Sequence, residues 1–371
     1  MTDGVEPLGP AWTQPLSAAE AAARVCAALP QRALLPEPVR LGNCLLYILT
    51  ALGRELVSPN RASGFRSVCA IGAFDGVHVG HRALVACAIA DARSHGVPAV
   101  AVTFDPDPSR VLAGAARGCD LLSHADRLAM LAGLGVDALL VIRFDEVLAD
   151  LSYDEFLSGM LLPALSPASI HVGADFRMGR GGEGNVASMR SYCSGFGVEV
   201  VGHELVGEGG EAVCATRVRR LLGEGDVRGA SALLGRDHLV RGRVVHGRGE
   251  GTSFGFPTAN VVVPEAACLP AEGVYGGYVV VGSHAWPAAV NVGAPRSFEV
   301  AETRPFLEAT LVGFSGDLYG LDVTVTFVER LRAQRRFFSL GELERVVLGN
   351  VAWVRRNLGD QAVDIGRERV S

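Results

Sequence analysis

Residues 71–81, which decide the fold of the first half of the chain, read Ile71-Gly72-Ala73-Phe74-Asp75-Gly76-Val77-His78-Val79-Gly80-His81. This stretch follows a strand-like apolar run and opens a helix-like pattern over His81–Ser94. The glycines allow a close approach of backbone to phosphate, and a helix start offers free N–H groups and a favourable dipole. His78 and His81 are three residues apart, so both imidazoles lie on one side of the helix, where they can stabilise charge developing at phosphorus. We therefore expect a phosphate-binding site here.

Short apolar runs alternate with helical patterns from about residue 66 to residue 235. This alternation predicts βαβ units and a parallel, Rossmann-like α/β sheet over residues 61–235. Ligands of such sheets bind at the carboxyl ends of the strands. The predicted strands are Ser67–Ile71, Ala99–Phe104, Ala138–Phe144, Ile170–Gly173 and Val198–Val206.

The pattern changes near residue 236, which we take as the main domain boundary. Short strand candidates separated by Gly and Pro turns predict a small antiparallel β-barrel or sandwich over residues 236–360, closed by a helix over Gly341–Arg356. A tail of residues 361–371 follows. The predicted strands are Leu239–Val245, Gly276–Val281, Ala285–Asn291, Phe306–Val312 and Asp322–Phe327.

Residues 1–60 are rich in Ala, Leu and Pro and carry no recognisable chemistry. Ser17–Leu29 could form a capped amphipathic helix, because Glu20 follows Ser17 by three residues. We interpret this region as an accessory extension of unknown role, with the first core strand starting only near Arg66.

The composition excludes several classes of protein. The chain has 371 residues and a net charge of -6, which argues against a nucleic-acid binder that neutralises phosphates. All 34 basic residues are arginine. The absence of lysine excludes a Walker-type P-loop and a pyridoxal Schiff base, and it leaves arginine as the cation for phosphate binding.

The cysteines and the apolar runs favour a cytoplasmic protein with no membrane partner. The eight cysteines are scattered, without the spacing of a zinc site or of a small disulfide framework, so a reducing compartment is expected. The N-terminus is too polar for a signal peptide, and the apolar run Cys44–Leu52 is far shorter than the ~20 residues that span a bilayer.

Residues 71–81 contain the His-x-Gly-His signature of nucleotidyltransferases, and their longer pattern resembles the first motif of the bacterial bifunctional riboflavin kinase/FAD synthetase family. Thr103–Pro108 is similar to that family's Thr-Phe-x-Pro-His-Pro loop, with Asp107 in place of the histidine. Val172–Gly179 resembles its Asp-Phe-x-Phe-Gly segment. Residues 214–219 resemble its Ser-Ser-Thr-Arg-Ile-Arg motif, with the two serines replaced by Cys214 and Ala215.

Residues 236–356 resemble the riboflavin kinase module of the same family. Its Gly-x-Pro-Thr-Ala-Asn string is present as Gly255–Asn260, and Glu308 occupies the place of its catalytic base. Two departures concern the segment Asn291–Phe298, which has Arg296 within an altered Pro-Thr-Phe ending, and Asn350, which stands where an acidic residue is common.

The resemblance implies roles for individual residues. His78, His81 and Glu308 would be catalytic, the histidines at the triphosphate and Glu308 as proton acceptor. The adenylyltransferase contacts to ATP would be Gly72, Phe74, Asp75, Gly76, Thr216, Arg217 and Arg219. The kinase contacts to ATP or flavin would be Gly247, Gly251, Gly255, Pro257 and Asn291. The hydroxyl of Thr258 and the amide oxygen of Asn260 are hard ligands that suit Mg²⁺.

The implied function is ATP-dependent phosphorylation of riboflavin to FMN and adenylylation of FMN to FAD. The partners are then riboflavin, FMN and ATP, and the sequence leaves the oligomeric state open. Two alternatives remain at this point. One is that a single activity survives, or the flavin substrate is altered, because of the substitutions at Asp107, Cys214 and Ala215. The other is a non-catalytic, flavin-binding regulatory paralogue.

Overall fold

The computed structural model describes residues 39–41, 43–49, 51–52, 55–56, 66–113, 118–204, 212–246, 258–293, 306–335 and 339–365. The chain forms two compact units. One comprises Leu16–Gly118 and His124–Cys214, and the other includes Cys119–Ser123 and Ala215–Ser371. The predicted helix over Ser17–Leu29 lies outside the described residues. In the described part of the chain, no helix is long and apolar enough to cross a bilayer.

The first unit is built on a seven-stranded sheet with the order β1-β2-β7-β6-β5-β8-β11. Every pairing in it is parallel except that of β1 with β2. The strands of this unit are β1 (Val39–Leu41), β2 (Cys44–Leu49), β3 (Ala51–Leu52), β4 (Glu55–Leu56), β5 (Ser67–Ile71), β6 (Ala99–Asp105), β7 (Ala138–Arg143), β8 (Pro167–Gly173), β9 (Arg177–Met178), β10 (Gly184–Asn185) and β11 (Glu199–His203). Its helices are α1 (Val79–His95), α2 (Pro108–Ala113), α3 (His124–Gly133), α4 (Glu146–Ala149), α5 (Tyr153–Phe156), α6 (Leu162–Leu165) and α7 (Val186–Ser194).

The central strands of this sheet are buried on both faces. All residues of β5 and β8 are buried, as expected for a parallel sheet covered by helices, whose strands read as nearly continuous apolar runs. One face packs against Phe156, Leu157 and Met160. The predicted Rossmann-like α/β fold is confirmed, and the predicted strand Ser67–Ile71 has the observed bounds.

The prediction that residues 1–60 lie outside the core is wrong for part of that region. Strand β2 pairs in parallel with β7, with Leu46 opposite Leu139. Leu46 is completely buried. The apolar run Cys44–Leu52 is too short to span a membrane, but it contributes strand β2 to the sheet. Its side chains are covered by those of the neighbouring apolar strand.

We expect Leu46→Ala to lower the free energy of unfolding by about 2–4 kcal/mol, because it deletes buried methyl groups and leaves a cavity. Denaturant unfolding of the whole chain measures the change. The matched control is Leu112→Ala in the same unit, since Leu112 is 66% exposed. Equal stabilities of the two variants would contradict the burial of β2.

The second unit is a closed antiparallel barrel, which confirms the predicted barrel fold. Six strands follow one another in the order β14-β17-β12-β13-β16-β15, and pairing of β15 with β14 closes the ring. The strands are β12 (His238–Val245), β13 (Thr258–Val262), β14 (Gly273–Val281), β15 (His284–Gly293), β16 (Phe306–Leu311), β17 (Asp322–Phe327), β18 (Glu329–Ala333) and β19 (Val363–Asp364). The helices are α8 (Ala215–Glu224), α9 (Val227–Leu234) and α10 (Leu340–Leu358).

Alternation along the barrel strands separates an inner from an outer face. Ala259 and Val261 on β13 face the barrel core, as do Leu307, Ala309 and Leu311 on β16. The residues between them therefore lie on the outer face. Helix α10 covers part of that face at β14 and β15.

The division into units does not coincide with the predicted boundary between residues 235 and 236. Helices α8 and α9 pack on the barrel through Val218, Leu222 and Leu234. The segment Cys119–Ser123 also belongs to the barrel unit. Its Leu121 is buried in the barrel core, where apolar contact holds all these pieces together.

Two cysteines join the segment to the barrel. Cys119 and Cys268, 149 residues apart, form a disulfide. The peptide N–H of Cys268 donates to the carbonyl of Asp120 at 2.9 Å. The sequence analysis, which expected reduced thiols from the scattered spacing, did not find this pair.

Candidate active sites

The turn after β5 adopts an unusual backbone. Phe74 and Val77 have positive φ angles of 53° and 41°, and Gly76 has a φ of 78°. For non-glycine residues such angles are costly, and they persist where the surrounding structure holds them and often where a ligand binds. Phe74 is buried, as are Asp75 and Gly76. The aromatic ring of Phe74 packs edge-on against His81, with centroids 5.1 Å apart.

His78 and His81 stack on each other, as their spacing predicted. Their ring centroids are 3.6 Å apart and their planes differ by 15°. His78 is the N-cap of α1, and its Nδ1 accepts a hydrogen bond from the backbone N–H of His81 at 3.3 Å. In a neutral imidazole with Nδ1 as acceptor, the proton lies on Nε2. The helix cap therefore makes Nε2 of His78 a hydrogen-bond donor.

His81 is held in its neutral form. Burial lowers its pKa well below the ordinary histidine value, and the nearby His78 and Arg127 lower it further. Its buried Nδ1 has no hydrogen-bond partner in the part of the chain that the structure describes. Such an atom is costly to bury without a partner, which points to a ligand at this place. The histidine pair thus offers directed hydrogen bonds to a phosphate.

Arg127 on α3 is a site residue that the sequence analysis missed. It is almost fully buried, and its guanidinium donates to the carbonyls of Ala73 at 2.9 Å and Phe104 at 2.8 Å. It thereby joins the loop after β5 to the end of β6. A planar guanidinium has several donors in a fixed fork and can hold two carbonyls at once. An arginine on a helix carries no local signal of this role.

Asp107 and His124 lie beside Arg127. The Asp107 carboxylate accepts hydrogen bonds from the backbone N–H and the hydroxyl of Ser109, at 2.9 and 2.6 Å, and lies 3.7 Å from Arg127. His124 approaches Arg127 at 2.8 Å and Asp105 at 3.1 Å. Burial, with a smaller effect of Arg127, lowers the pKa of His124 to about 3. The substituted residue, Asp107, is therefore hydrogen-bonded within its own loop.

The second candidate site is a row of polar side chains on the outer face of the barrel. Strand register places Asn260 opposite Glu308, and Glu308 opposite Asn291. Directly opposed residues of an antiparallel pair have Cβ atoms about 4.5–5.5 Å apart. All three side chains are half-buried. The structure thus brings together one carboxylate and two amides that the sequence analysis assigned to the kinase site.

Thr258 lies two residues before Asn260 on the same face of β13. The structure also reveals Gln334, which the sequence analysis missed and which donates through Nε2 to Oδ1 of Asn291 at 2.6 Å. Four of the predicted contacts lie outside the described residues, as does the substituted Arg296: Gly247, Gly251, Gly255 and Pro257.

The remaining predicted contacts lie on the first turns of α8, in the barrel unit. Thr216 is exposed, while Arg217 and Arg219 are half-buried. Arg219 donates through Nε to the carbonyl of Cys119 at 2.7 Å. This contact ties the arginine to the segment Cys119–Ser123. Roles of these three residues in ATP binding stay predictions.

Asn350 lies on α10 and lines a cleft of about 500 Å³ together with Arg228, Glu329 and Trp353. Arg228 and Glu329 form an ion pair across the cleft. None of the residues that line this cleft belongs to the row of Asn260, Glu308 and Asn291. The substitution at residue 350 therefore lies in a different part of the barrel unit from that row.

Two family models match the chain, each over one of its two halves. The model described as FAD synthetase matches residues 61–217, and the model described as riboflavin kinase matches residues 234–358. These ranges contain the stacked histidines and the Glu308 row, respectively.

Curated relatives carry the name bifunctional riboflavin kinase/FMN adenylyltransferase. The protein from Escherichia coli (strain K12) is 34% identical, over 79% of this chain and 93% of its own. That from Bacillus subtilis (strain 168) is 32% identical over 75% and 88%. That from Pseudomonas fluorescens is 35% identical over 78% and 92%.

Among solved structures, that of a protein called a macrolide-efflux protein, from Streptococcus pneumoniae, superposes with a TM-score of 0.72 at 28% identity. It covers 83% of this chain and 98% of the solved chain. The similarity supports the two-unit fold over most of the sequence.

We expect the free energy of unfolding to decrease as the pH is lowered, because His124 is kept neutral in the folded chain. Its pKa of about 3 lies below the ordinary value near 6.5, so the unfolded chain takes up the proton first and stability is lost as pH falls below about 6.5. Between pH 7 and pH 5 the parent should lose about 2 kcal/mol more than His124→Gln.

Urea unfolding at both pH values measures this difference. The control is His284→Gln, because His284 is exposed. An equal loss in the parent and in His124→Gln would contradict the neutral, buried state of His124.

Proposed function

The chain belongs to the family of bifunctional riboflavin kinase/FMN adenylyltransferases and makes FMN from riboflavin and FAD from FMN, and we propose that each compact unit carries one of the two reactions. The observation that supports this division is that each unit has its own constellation. The stacked histidines lie in the sheet unit and the Glu308 row lies in the barrel unit.

In the barrel unit, Glu308 would act as the base of riboflavin phosphorylation. Its carboxylate would accept the proton of the riboflavin 5′-hydroxyl while that oxygen attacks the γ-phosphorus of ATP and ADP leaves. Such transfer depends mostly on positioning and on electrostatic stabilisation. A half-buried carboxylate that lies opposite two amides can still reach a ligand on the outer face.

The family uses ATP, and we propose Mg²⁺ as the ion that accompanies it. Thr258 and Asn260 fit this ion, because a hydroxyl and an amide oxygen on one face of β13 are hard oxygen ligands. The bound ion would neutralise phosphate charge. Asn260 would then place this neutralised phosphate chain beside Glu308, its cross-strand neighbour.

In the sheet unit, the FMN phosphate would attack the α-phosphorus of ATP and pyrophosphate would leave. His78 would donate through Nε2–H, and neutral His81 would donate beside it, to oxygens of the triphosphate. These donors would stabilise the charge that shifts to the leaving group, in the manner of a preorganised oxyanion site. The turn Gly72–Gly76 and the start of α1 would hold the phosphates.

We expect Glu308→Gln to abolish FMN formation from riboflavin and to preserve FAD formation from supplied FMN. Glutamine keeps the shape of the side chain but does not accept the proton. Chromatography that separates FMN from FAD, with riboflavin or FMN as substrate in the presence of ATP and Mg²⁺, measures both steps. If conversion of FMN to FAD also disappears, the division into two sites is wrong.

Replacement of His78 and His81 together by Ala should have the opposite effect, with FMN accumulating and FAD absent. The imidazoles are proposed to serve only the adenylyl step. Unimpaired FAD synthesis by the double variant would remove the histidines from the mechanism.

The same assay decides the alternatives. A parent chain that makes FMN without FAD has lost adenylylation. A parent that makes neither product would favour the non-catalytic, flavin-binding alternative, which the intact Glu308 row and histidine pair disfavour. Because both steps consume ATP, we also propose the cytoplasm as the location.

We expect Arg127→Lys to slow conversion of FMN to FAD by about tenfold to a hundredfold, because one ammonium cannot hold both the Ala73 and Phe104 carbonyls. Riboflavin phosphorylation should stay at the parental rate. Steady-state kinetics of each step measures this, with Arg93→Lys as the control, since Arg93 is exposed on α1. A parental rate of FAD formation in Arg127→Lys would show that the loop after β5 and the end of β6 are held together without this contact.

A further inference from the structure

The carboxylate of Asp107 contacts two different parts of the sheet unit. Asp107 directly precedes α2, and its Oδ1 accepts hydrogen bonds from the backbone N–H and the hydroxyl of Ser109, at 2.9 and 2.6 Å. Such contacts are typical of a residue that caps the start of a helix. The other oxygen, Oδ2, lies 3.7 Å from Nη1 of Arg127 on α3. One side chain thus reaches both its own loop and a second helix.

Nη1 of Arg127, the atom that faces Asp107, also holds the loop after β5. It donates to the carbonyl of Ala73 at 2.9 Å, while Nη2 donates to the carbonyl of Phe104 at 2.8 Å. The guanidinium is planar and its donors have a fixed spacing, so a carboxylate that holds Nη1 orients the whole group. Thr103 donates to the same Ala73 carbonyl at 3.2 Å, which gives this loop a second support.

Both charges of this ion pair are withdrawn from water. The side chain of Arg127 is 6% exposed and that of Asp107 is 9% exposed. Attraction between charges is stronger where water does not screen it, and a buried charge that loses its partner is costly. Asp150 and Arg180 form a pair of nearly the same length, 3.8 Å, in the same unit, but both of its side chains are exposed. The two pairs differ chiefly in burial.

The charge of Arg127 acts on the titratable groups around it. Burial lowers the pKa of His81, and His78 and Arg127 lower it further. Burial, with a smaller effect of Arg127, lowers the pKa of His124. Burial raises the pKa of Asp105, and Arg127 opposes this increase. The Asp107 carboxylate therefore stands beside a cation whose charge is felt at three further side chains.

We propose that Asp107 is a positioning residue for conversion of FMN to FAD: its carboxylate holds Nη1 of Arg127 where this nitrogen binds the Ala73 carbonyl, and so fixes the loop after β5. The proposal rests on the proposed adenylyl site in that loop. Asp107 acts on the reaction through Arg127 and touches neither substrate. Aspartate at position 107 is then matched to Arg127, and restoring the histidine of the similar family loop weakens the site.

Three variants of Asp107 separate its charge from its hydrogen bonds. Asp107→Asn keeps an acceptor oxygen for Ser109 but has no charge for Arg127. Asp107→Glu keeps the charge but displaces the oxygen that caps α2, and Asp107→His has no carboxylate. We expect kcat for FAD formation to fall about tenfold in Asp107→Asn and at least as much in Asp107→His, but no more than about threefold in Asp107→Glu.

A second background tests whether Asp107 acts through Arg127. Arg127→Met removes the guanidinium at similar length. Adding Asp107→Asn to it should change kcat by less than about twofold, because no guanidinium is left to hold. A role confined to capping α2 would give the same fold-change in both backgrounds.

The matched controls are Asp150→Asn and Asp150→His. They remove one partner of the exposed ion pair in the same unit and should keep the parental rate of FAD formation. Riboflavin phosphorylation should stay at the parental rate in every variant, and thermal unfolding verifies that each one is folded.

A parental kcat for FAD formation in Asp107→Asn or Asp107→His would overturn the proposal. A loss in Asp107→Glu as large as that in Asp107→Asn would do the same, and so would equal losses from Asp107→Asn in the two backgrounds. Failure of the proposed function gives a different result. If replacement of His78 and His81 by Ala leaves FAD formation unimpaired, the adenylyl site is wrong. If that variant is inactive while the Asp107 variants match the parent, only the positioning role is wrong.

Discussion

Backbone pairing between strands is the interaction on which both candidate sites depend. In the barrel, the ladders of β13, β16 and β15 set Asn260, Glu308 and Asn291 side by side. Closure of the ring by β14 and β15 prevents a slip of this register, because a shift by one residue would turn the polar row into the apolar core. In the sheet unit, parallel pairing of β5 with β6 brings their carboxyl ends together, where Arg127 joins the loop after β5 to the end of β6.

The two candidate sites would handle negative phosphate charge in different ways. In the sheet unit, burial together with the neighbouring His78 and Arg127 keeps the His81 imidazole neutral, so it would offer a directed N–H group rather than a full charge. Such donors need no counter-ion when the site is empty, which a buried cation would require. The barrel row has a carboxylate flanked by amides, an arrangement suited to taking up a proton. The chain has no lysine, and Arg127 serves as a structural bridge between two backbone carbonyls.

The sequence was sufficient where the signal is local. Strands β5 and β17 have the predicted bounds, because continuous or alternating apolar residues between turn signals specify them. Strand β2 was missed because its partner, β7, lies about ninety residues away along the chain. A short apolar run does not specify the strand with which it pairs. Glu308 was found through family resemblance, since a single strand carboxylate carries no signal of its own. Arg127 and Gln334 make tertiary contacts that no spacing in the sequence encodes.

The path of the chain between the units constrains how such a protein can be divided. The barrel core includes Leu121, from a short segment flanked on both sides by the sheet unit, and a disulfide from Cys119 reinforces this connection. A single cut after residue 235 separates that segment, together with α8 and α9, from the barrel on which they pack. The isolated barrel would expose apolar surface. The other fragment would retain Cys119–Ser123, α8 and α9 without the barrel on which they pack. Gene fission at this point, or exchange of one half for that of a relative, therefore requires compensating substitutions where these segments contact the barrel core.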